Sequence, residues 1–115
     1  MPSEGGGVQI MTQEELNKII EQHQHWLKED CEGWEGMRAD LRNKNLSRLR
    51  LDGACLDYAR LDGACLDGAC LVGARLDGAC LDGASLVGSR LDGACLDGAC
   101  LDGDFNYITS LITIY

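Results

Sequence analysis

Leucine occupies every fifth position from Leu41 to Leu101, thirteen times without interruption. A period of five fits neither the α-helix, with its 3.6 residues per turn, nor the strand, whose side chains alternate with a period of two. In an α-helix each leucine would be rotated by about 140° from the one before. Glycine in most repeats also disfavours a helix, by roughly 1 kcal/mol each relative to alanine. The period therefore indicates a backbone that turns regularly.

A small residue stands two positions before every leucine from Leu56 onward, always Ala except for Ser89. We expect this residue and the leucine to point inward. The Asp-Gly pair that follows most leucines favours a turn, because glycine tolerates a positive φ and Asp is common in turns. Four such corners close a coil of 20 residues, and coils stack at the strand spacing of about 4.8 Å. The predicted core consists of Leu41, Leu46, Leu51, Leu56, Leu61, Leu66, Leu71, Leu76, Leu81, Leu86, Leu91, Leu96 and Leu101.

Residues 39–103 resemble the pentapeptide repeat family, whose pattern A-(D/N)-L-x-x begins here at Ala39-Asp40-Leu41. The resemblance implies an all-β solenoid, a right-handed quadrilateral β-helix, here of about three coils. The position before each leucine, often Asp or Asn in the family, is mostly Cys or Arg in this chain. In the first repeats Lys44 and Leu49 replace the small inward residue, so we expect a distorted first coil.

The segment before the repeat has the pattern of an amphipathic helix. Thr12 and Glu15 form a T-x-x-E capping box, which satisfies free amides at a helix start. Apolar residues follow at spacings of three and four, which favours a helix with one buried stripe. Along the chain we predict a disordered tail (1–11), an amphipathic capping helix (12–30), a connecting loop (31–38), the repeat β-helix (39–103) and a degenerate final coil with an apolar end (104–115).

At 20 residues per coil, outward residues stack into columns. Neighbouring carboxylates in such a column repel by roughly 1 kcal/mol per pair. We interpret the acidic columns as a solvated surface offset by arginines, with a weak divalent-cation site as the alternative. The two predicted columns are Asp57, Asp77 and Asp97, and Asp62, Asp82 and Asp102.

Cysteine is frequent at the outward position before the leucine. The chain has no C-x-x-C, and C-x4-C places two thiols on adjacent faces, so we expect no metal site. Of these thiols, Cys80 and Cys100 stack in neighbouring coils, where they suit a thiol pair or, under oxidation, a strained disulfide. Cys31 lies in the loop with no partner by spacing. The outward thiols are Cys55, Cys65, Cys70, Cys80, Cys95 and Cys100.

Composition and motifs exclude several functions. The net charge of −9 argues against a grip on nucleic-acid phosphates, which needs clustered cations. The chain has neither a secretory signal nor an apolar run of about 20 residues, so we expect a cytoplasmic chain that does not enter membranes, with reduced thiols. His23 and His25 share one helical turn away from the repeat, which leaves no Ser-His-Asp or Cys-His arrangement. We therefore expect a non-enzymatic protein without a cofactor.

The apolar C-terminal segment favours pairing with a second copy. We hypothesise an end-to-end homodimer through Tyr107, Ile108, Leu111, Ile112, Ile114 and Tyr115.

Two functions fit these features. The first is a protein–protein interaction scaffold with an unknown protein partner. The second follows from resemblance to fluoroquinolone-resistance members of the family, which implies an acidic DNA mimic that binds a type II topoisomerase such as DNA gyrase. Against mimicry, three coils give a rod of only about 16 Å, and residues 39–50 carry four basic residues and one acidic residue. The sequence thus favours the scaffold.

Overall fold

From Asp40 onward the backbone pairs with itself at a spacing of 20 residues. The computed structural model describes residues 10–102 and contains nine parallel bridges in which residue i pairs with residue i+20, from Asp40 with Arg60 to Cys80 with Cys100. The predicted 20-residue period is therefore confirmed. Every bridge is isolated, so residues 10–102 contain no continuous β-strand. The all-β prediction is thus confirmed only for the parallel backbone pairing between coils. Each side of a coil is too short to form a continuous strand.

Each repeat contains a tight turn closed by a backbone hydrogen bond. In a central repeat the Ala64 amide donates to the Leu61 carbonyl at 3.0 Å, and Gly63 between them has a φ of 69°. In the first coil Asn43, Arg48 and Tyr58 adopt the same positive φ without glycine's freedom. The left-handed conformation costs a non-glycine residue about 1–2 kcal/mol. The stacked coils therefore impose the turn even where the local sequence disfavours it.

The leucines and the small residues fill the interior as predicted, except that Ala54, Leu96 and Ala99 are only partly buried and Leu101 is exposed. Leu41 through Leu91 are at most 3% exposed, whereas Leu96 is only partly buried and Leu101 is 41% exposed. The prediction of a buried Leu101 is therefore wrong, whereas Leu86 and Leu91, in the same last described coil, are buried as predicted.

The expected distortion of the first coil is also wrong. Lys44 and Leu49 close their turns at 3.2 Å, close to the 3.0–3.1 Å of later repeats, and the bridges from this coil keep the 20-residue register. Lys44 is exposed, and Leu49 packs against the core while partly buried. The end coil accepts larger side chains because no further coil lies beneath it.

Helix α1 spans Gln13–Lys28 and starts with the predicted capping box. The Thr12 side chain accepts from the Glu15 amide and the Glu15 carboxylate accepts from the Thr12 amide, both at 3.0 Å. A short 3₁₀ helix follows at Trp34–Gly36. Neither helix within residues 10–102 has the length and apolar character needed to cross a bilayer.

The backbone edge of the first coil is hydrogen-bonded by α1 and the residue before it. The Met11 amide donates to the Asn45 carbonyl at 2.9 Å. The Gln13 side-chain amide forms two hydrogen bonds with the Arg50 backbone. It accepts from the Arg50 N–H and donates to the Arg50 carbonyl, each at 2.8 Å. Gln24 donates to the Cys55 carbonyl at 2.9 Å. Three sides of the coil thus receive the bonds that a further coil would otherwise supply.

His23 forms two further hydrogen bonds with this backbone edge. The Ala39 amide donates to Nδ1 at 2.9 Å, which places the ring proton on Nε2, and Nε2 then donates to the Asp57 carbonyl at 2.8 Å. The side chain is fully buried, and this burial lowers the pKa of His23. A proton on Nδ1 would face the Ala39 amide, so the cap requires the neutral imidazole.

The predicted disordered tail reaches too far along the chain. Ile10 forms a parallel bridge with Asn45, so Ile10 and Met11 belong to the cap. Residues 1–9 of that tail and residues 103–115, with all six residues of the hypothesised dimer interface, lie outside the described residues.

Replacement of Leu66 by Ala should destabilise the fold strongly, since this side chain is fully buried between layers. We expect a loss of about 2–5 kcal/mol in the free energy of unfolding. The matched variant L101A, at a partly exposed leucine, should lose clearly less. Urea unfolding of both variants measures the difference, and equal losses would contradict the layered core.

The free energy of unfolding should fall when the pH is lowered, because His23 must stay neutral in the folded chain. The unfolded chain takes up a proton near the ordinary pKa of 6.5, and the folded chain only at a lower pH. Protonation therefore favours unfolding, and the free energy of unfolding falls as the pH drops below about 6.5. Thermal melts between pH 7.5 and pH 5 should show this loss in the wild type, less of it in H23Q, and the wild-type loss in Q22A. An unchanged slope in H23Q would refute the role of His23.

Candidate functional site

The structure forms both predicted acidic columns and gives their carboxylates a second role. In the first column the Asp77 amide donates to Asp57 Oδ1 and the Asp97 amide to Asp77 Oδ1, each at 3.1 Å. In the second the Asp102 amide donates to Asp82 Oδ1 at 2.9 Å. One oxygen of each accepting carboxylate, in Asp57, Asp77 and Asp82, therefore connects two coils.

These hydrogen bonds explain why like charges stack. A hydrogen bond to a charged acceptor contributes about 1.5–3 kcal/mol, more than the roughly 1 kcal/mol of repulsion between neighbouring surface carboxylates. Arg75 adds to this by lying 3.5 Å from Asp57 and 3.3 Å from Asp77, and these two carboxylates raise its pKa. Asp57 and Asp77 are partly buried and Asp97 is exposed. The column thus consists of two carboxylates held in place, Asp57 and Asp77, and a more exposed one, Asp97.

The second column differs at its first member. Asp62 Oδ1 is buried and has no hydrogen-bond partner within the described residues. Asn43, one coil earlier, lies over Gly63, where a Cβ would come within 2.3 Å of the amide oxygen of Asn43. The Asn43 side chain therefore crowds the start of this column. The Asp57 column, with a hydrogen bond at each step, is the more regular surface.

The other two faces carry no continuous acidic column. Asp52 pairs with Arg50 and Asp92 with Arg90, each at 3.3 Å, and Val72 separates them. On the remaining face Asp67 accepts from the Val87 amide at 3.2 Å and from the Ser85 hydroxyl.

Tyr58, Arg38 and Trp26 form a cluster at the capped end of the Asp57 column, here called the Tyr58 corner. Tyr58 is 53% exposed and its ring lies over Gly78, where a Cβ would approach it to 2.4 Å. Arg38 Nε donates to the Tyr58 carbonyl at 2.7 Å, and the guanidinium lies 5.3 Å from the Trp26 ring centre. Tyr, Trp and Arg are the residues most enriched in binding hot spots. The repeat pattern does not predict this cluster. Its one sequence signal is Tyr58 itself, which occupies a position that is glycine in later repeats.

The six repeat thiols lie at the outward position as predicted. Cys80 and Cys100 pair in adjacent coils, and the hydrogen bond between their thiols raises the pKa of Cys100. The other four alternate with different residue types: Cys55 and Cys95 flank Arg75, Cys65 pairs with Ser85 and Cys70 with Arg90. All seven cysteines, including Cys31, are free thiols.

Cys31 has neighbours that the spacing did not reveal. His25 Nδ1, a carboxylate oxygen of Asp30 and Cys31 Sγ lie within 4.8 Å of one another. The Cys31 thiol also donates to Met37 Sδ at 3.9 Å. Cys31 is unpaired with another cysteine, as the spacing indicates, but the turn after α1 places its thiol beside His25 and Asp30.

Comparison with known proteins agrees with the repeat geometry. The family model described as Pentapeptide repeats matches residues 38–68 and 69–103 in eight copies, which is more than half of the chain. The chain belongs to the pentapeptide repeat family. No curated protein matches it in sequence.

Solved pentapeptide repeat proteins resemble parts of the chain. Rfr23 from the cyanobacterium Cyanothece 51142 is 34% identical, with a TM-score of 0.48 over 62% of this chain and 52% of that one. HetL from Nostoc sp. strain PCC 7120, involved in heterocyst differentiation regulation, is 35% identical, with a TM-score of 0.29 over 56% and 41%. QnrB1, a plasmid-mediated fluoroquinolone resistance protein, is 24% identical, with a TM-score of 0.44 over 64% and 37%. The chain thus spans about half or less of the length of these three relatives.

Two substitutions at Asp77 separate its hydrogen bond from its charge. Asn keeps an Oδ1 acceptor for the Asp97 amide, whereas Ala removes it and leaves that amide without its partner. We expect D77A to lose about 1–3 kcal/mol of stability and D77N to lose clearly less. Thermal unfolding measures both, and equal destabilisation would show that the carboxylate does not act through the coil-to-coil hydrogen bond.

Proposed function

We propose that this pentapeptide repeat protein is a non-enzymatic protein-binding module. Its contact surface is the column of Asp57, Asp77 and Asp97 together with the Tyr58 corner. The observation that carries the proposal is the fixed position of the Asp57 and Asp77 carboxylates, which the amides of the next coil hold by hydrogen bonds. Side chains ordered before binding lose little further entropy when a partner docks.

The chemistry of this surface defines its partner. Carboxylates one coil apart repeat at about 4.8 Å, so a protein segment with regularly spaced Lys or Arg side chains complements them. Tyr58 offers a large exposed ring beside the column, and the Arg38 contact with its carbonyl holds the backbone there. An aromatic anchor beside a charged surface combines contact area with electrostatic steering. The partner is thus a basic protein surface with an apolar group that packs on Tyr58.

Two features of the coil support a binding role over catalysis. The interior is filled by leucine and small side chains that are almost fully buried, whereas enzymes typically desolvate substrates in a concave pocket. The outward surface is rigid and repeats at a constant spacing, as in other solenoids that bind proteins along one face. Family membership further supports a right-handed winding of the coil, which we include in the proposal.

The test compares proteins captured by three matched variants in a quantitative pull-down. D77N/D97N removes two charges from the column and keeps an Oδ1 acceptor at position 77 for the amide of residue 97. D52N/D92N removes the same charge from the face interrupted by Val72. Y58G removes the ring and restores the residue type found at this turn position in later repeats. All three should fold, which circular dichroism checks.

We expect the specific partner to be captured by the wild type and by D52N/D92N. Capture should fall at least about tenfold for D77N/D97N and for Y58G, since loss of a hot-spot contact costs about 2 kcal/mol or more. Binding should also weaken at high salt. Equal capture by all four proteins would refute the proposed surface.

DNA mimicry toward gyrase is the second candidate, favoured by the two acidic columns. Arg75 lies within one of them, and the basic residues of the first coil interrupt the acidic surface at the capped end. We therefore expect no inhibition of gyrase supercoiling and no protection against fluoroquinolones at large molar excess. Inhibition that disappears in D77N/D97N would instead establish mimicry.

A further inference from the structure

Three different metal-binding side chains converge just beyond the C-terminal end of α1. His25 Nδ1, an Asp30 carboxylate oxygen and Cys31 Sγ lie within 4.8 Å of one another, and His25 Nδ1 and Asp30 Oδ1 are 2.7 Å apart. The His25 and Asp30 side chains are each about two-fifths exposed, and Cys31 is partly buried. An ion can therefore reach this cluster, here called the cap cluster, from solvent.

The turn after the helix builds the cluster. Glu29 adopts the left-handed conformation, with a φ of 54°, and its amide donates to the His25 carbonyl at 2.7 Å. This turn directs Asp30 and Cys31 back beside His25. The Trp34 amide then donates to the Cys31 carbonyl at 3.2 Å, which holds the cysteine backbone. The donor atoms are thus positioned by backbone hydrogen bonds on both sides.

The spacing of the donors suits a tetrahedral ion. Bonds of about 2.0–2.3 Å to nitrogen, oxygen and sulfur place the ligand atoms about 3.3–3.8 Å from one another. The His25–Asp30 contact would open slightly, and no pair of donor atoms, all of which lie within 4.8 Å, would need to close by more than about 1.5 Å. Rotations of partly exposed side chains supply movements of this size.

We propose that His25, Asp30 and Cys31 bind a zinc-type divalent ion, with a water molecule as the fourth ligand. Imidazole, carboxylate and thiolate are the ligand types that zinc takes in proteins. Glu29, Glu32 and Glu35 surround the cluster in sequence and make the loop acidic, which raises the local concentration of cations. The Met37 thioether lies beside Cys31 but is a poor zinc ligand, so it contributes packing.

The proton balance of binding is defined. Asp30 binds as the carboxylate, and His25 binds through the Nδ1 lone pair with its ring proton on Nε2. Cys31 binds as the thiolate, and its thiol proton passes to the buffer.

The ion would join the end of α1 to the loop that enters the first coil at Ala39. His23, which caps that coil, lies two residues before His25 on the same helix. Binding therefore stabilises the cap.

The test uses the reduced full chain, freed of metal and titrated with Co²⁺. We expect a near-ultraviolet thiolate-to-cobalt charge-transfer band that saturates at one equivalent and is displaced by Zn²⁺. C31S should lose the band, and H25Q and D30N should bind at least about tenfold more weakly. C80S, which removes a thiol of the stacked coil pair, should behave as the wild type.

Stability provides a second readout. Zn²⁺ should raise the thermal midpoint of the wild type and of C80S, with no rise in H25Q, whose helix is verified by circular dichroism. A charge-transfer band that persists in C31S, or that disappears in C80S, would overturn the proposal. So would the absence of any band in the wild type.

Discussion

Hydrogen bonds between successive coils hold this protein together, and each stack of coils consequently exposes an unpaired backbone edge. In the interior this edge is satisfied by the coil 20 residues later, as in the bond from the Leu61 amide to the Cys80 carbonyl at 2.8 Å. At the first coil the bonds come instead from Met11, Gln13, His23 and Gln24. An exposed edge invites pairing with other chains. Helix α1 therefore contributes to the stability of the stacked coils.

The cap also depends on the coil. A helix of 16 residues is marginal in water by itself, and α1 buries Leu16 and His23 against the repeat. His23 couples the two elements most tightly, because both of its ring nitrogens bind backbone groups of the first coil. Trp26 stacks on the same ring at 5.3 Å, and Arg38 covers Trp26. The cap and the Tyr58 corner are thus one continuous cluster.

The sequence was sufficient to predict features that repeat or that are local. The five-residue period predicted the 20-residue register, and the Thr12–Glu15 pair predicted the start of α1, because each depends on spacing along the chain. The contacts of Gln13 and Gln24 with the coil join residues 37 and 31 positions apart, and no pattern encodes them. The acidic columns were predicted correctly, but the hydrogen bonds between their members were not. The preference of Asp for turns already accounted for its presence in each repeat, so nothing further in the sequence indicated these bonds. The cap cluster was missed because the left-handed Glu29 reverses the chain, and sequence spacing alone does not reveal this.

Helix α1 and the first coil should form one cooperative unit through the capped edge, and native-state amide hydrogen exchange measures this cooperativity. We expect the α1 amides and the first-coil amides of Ala39 and Arg50 to open with the same free energy. Q13A/Q24A should lower this free energy for both elements, whereas the exposed control Q22A should lower it for neither. Rapid exchange of α1, at the rate of an isolated helix, beside a fully protected first coil would contradict it.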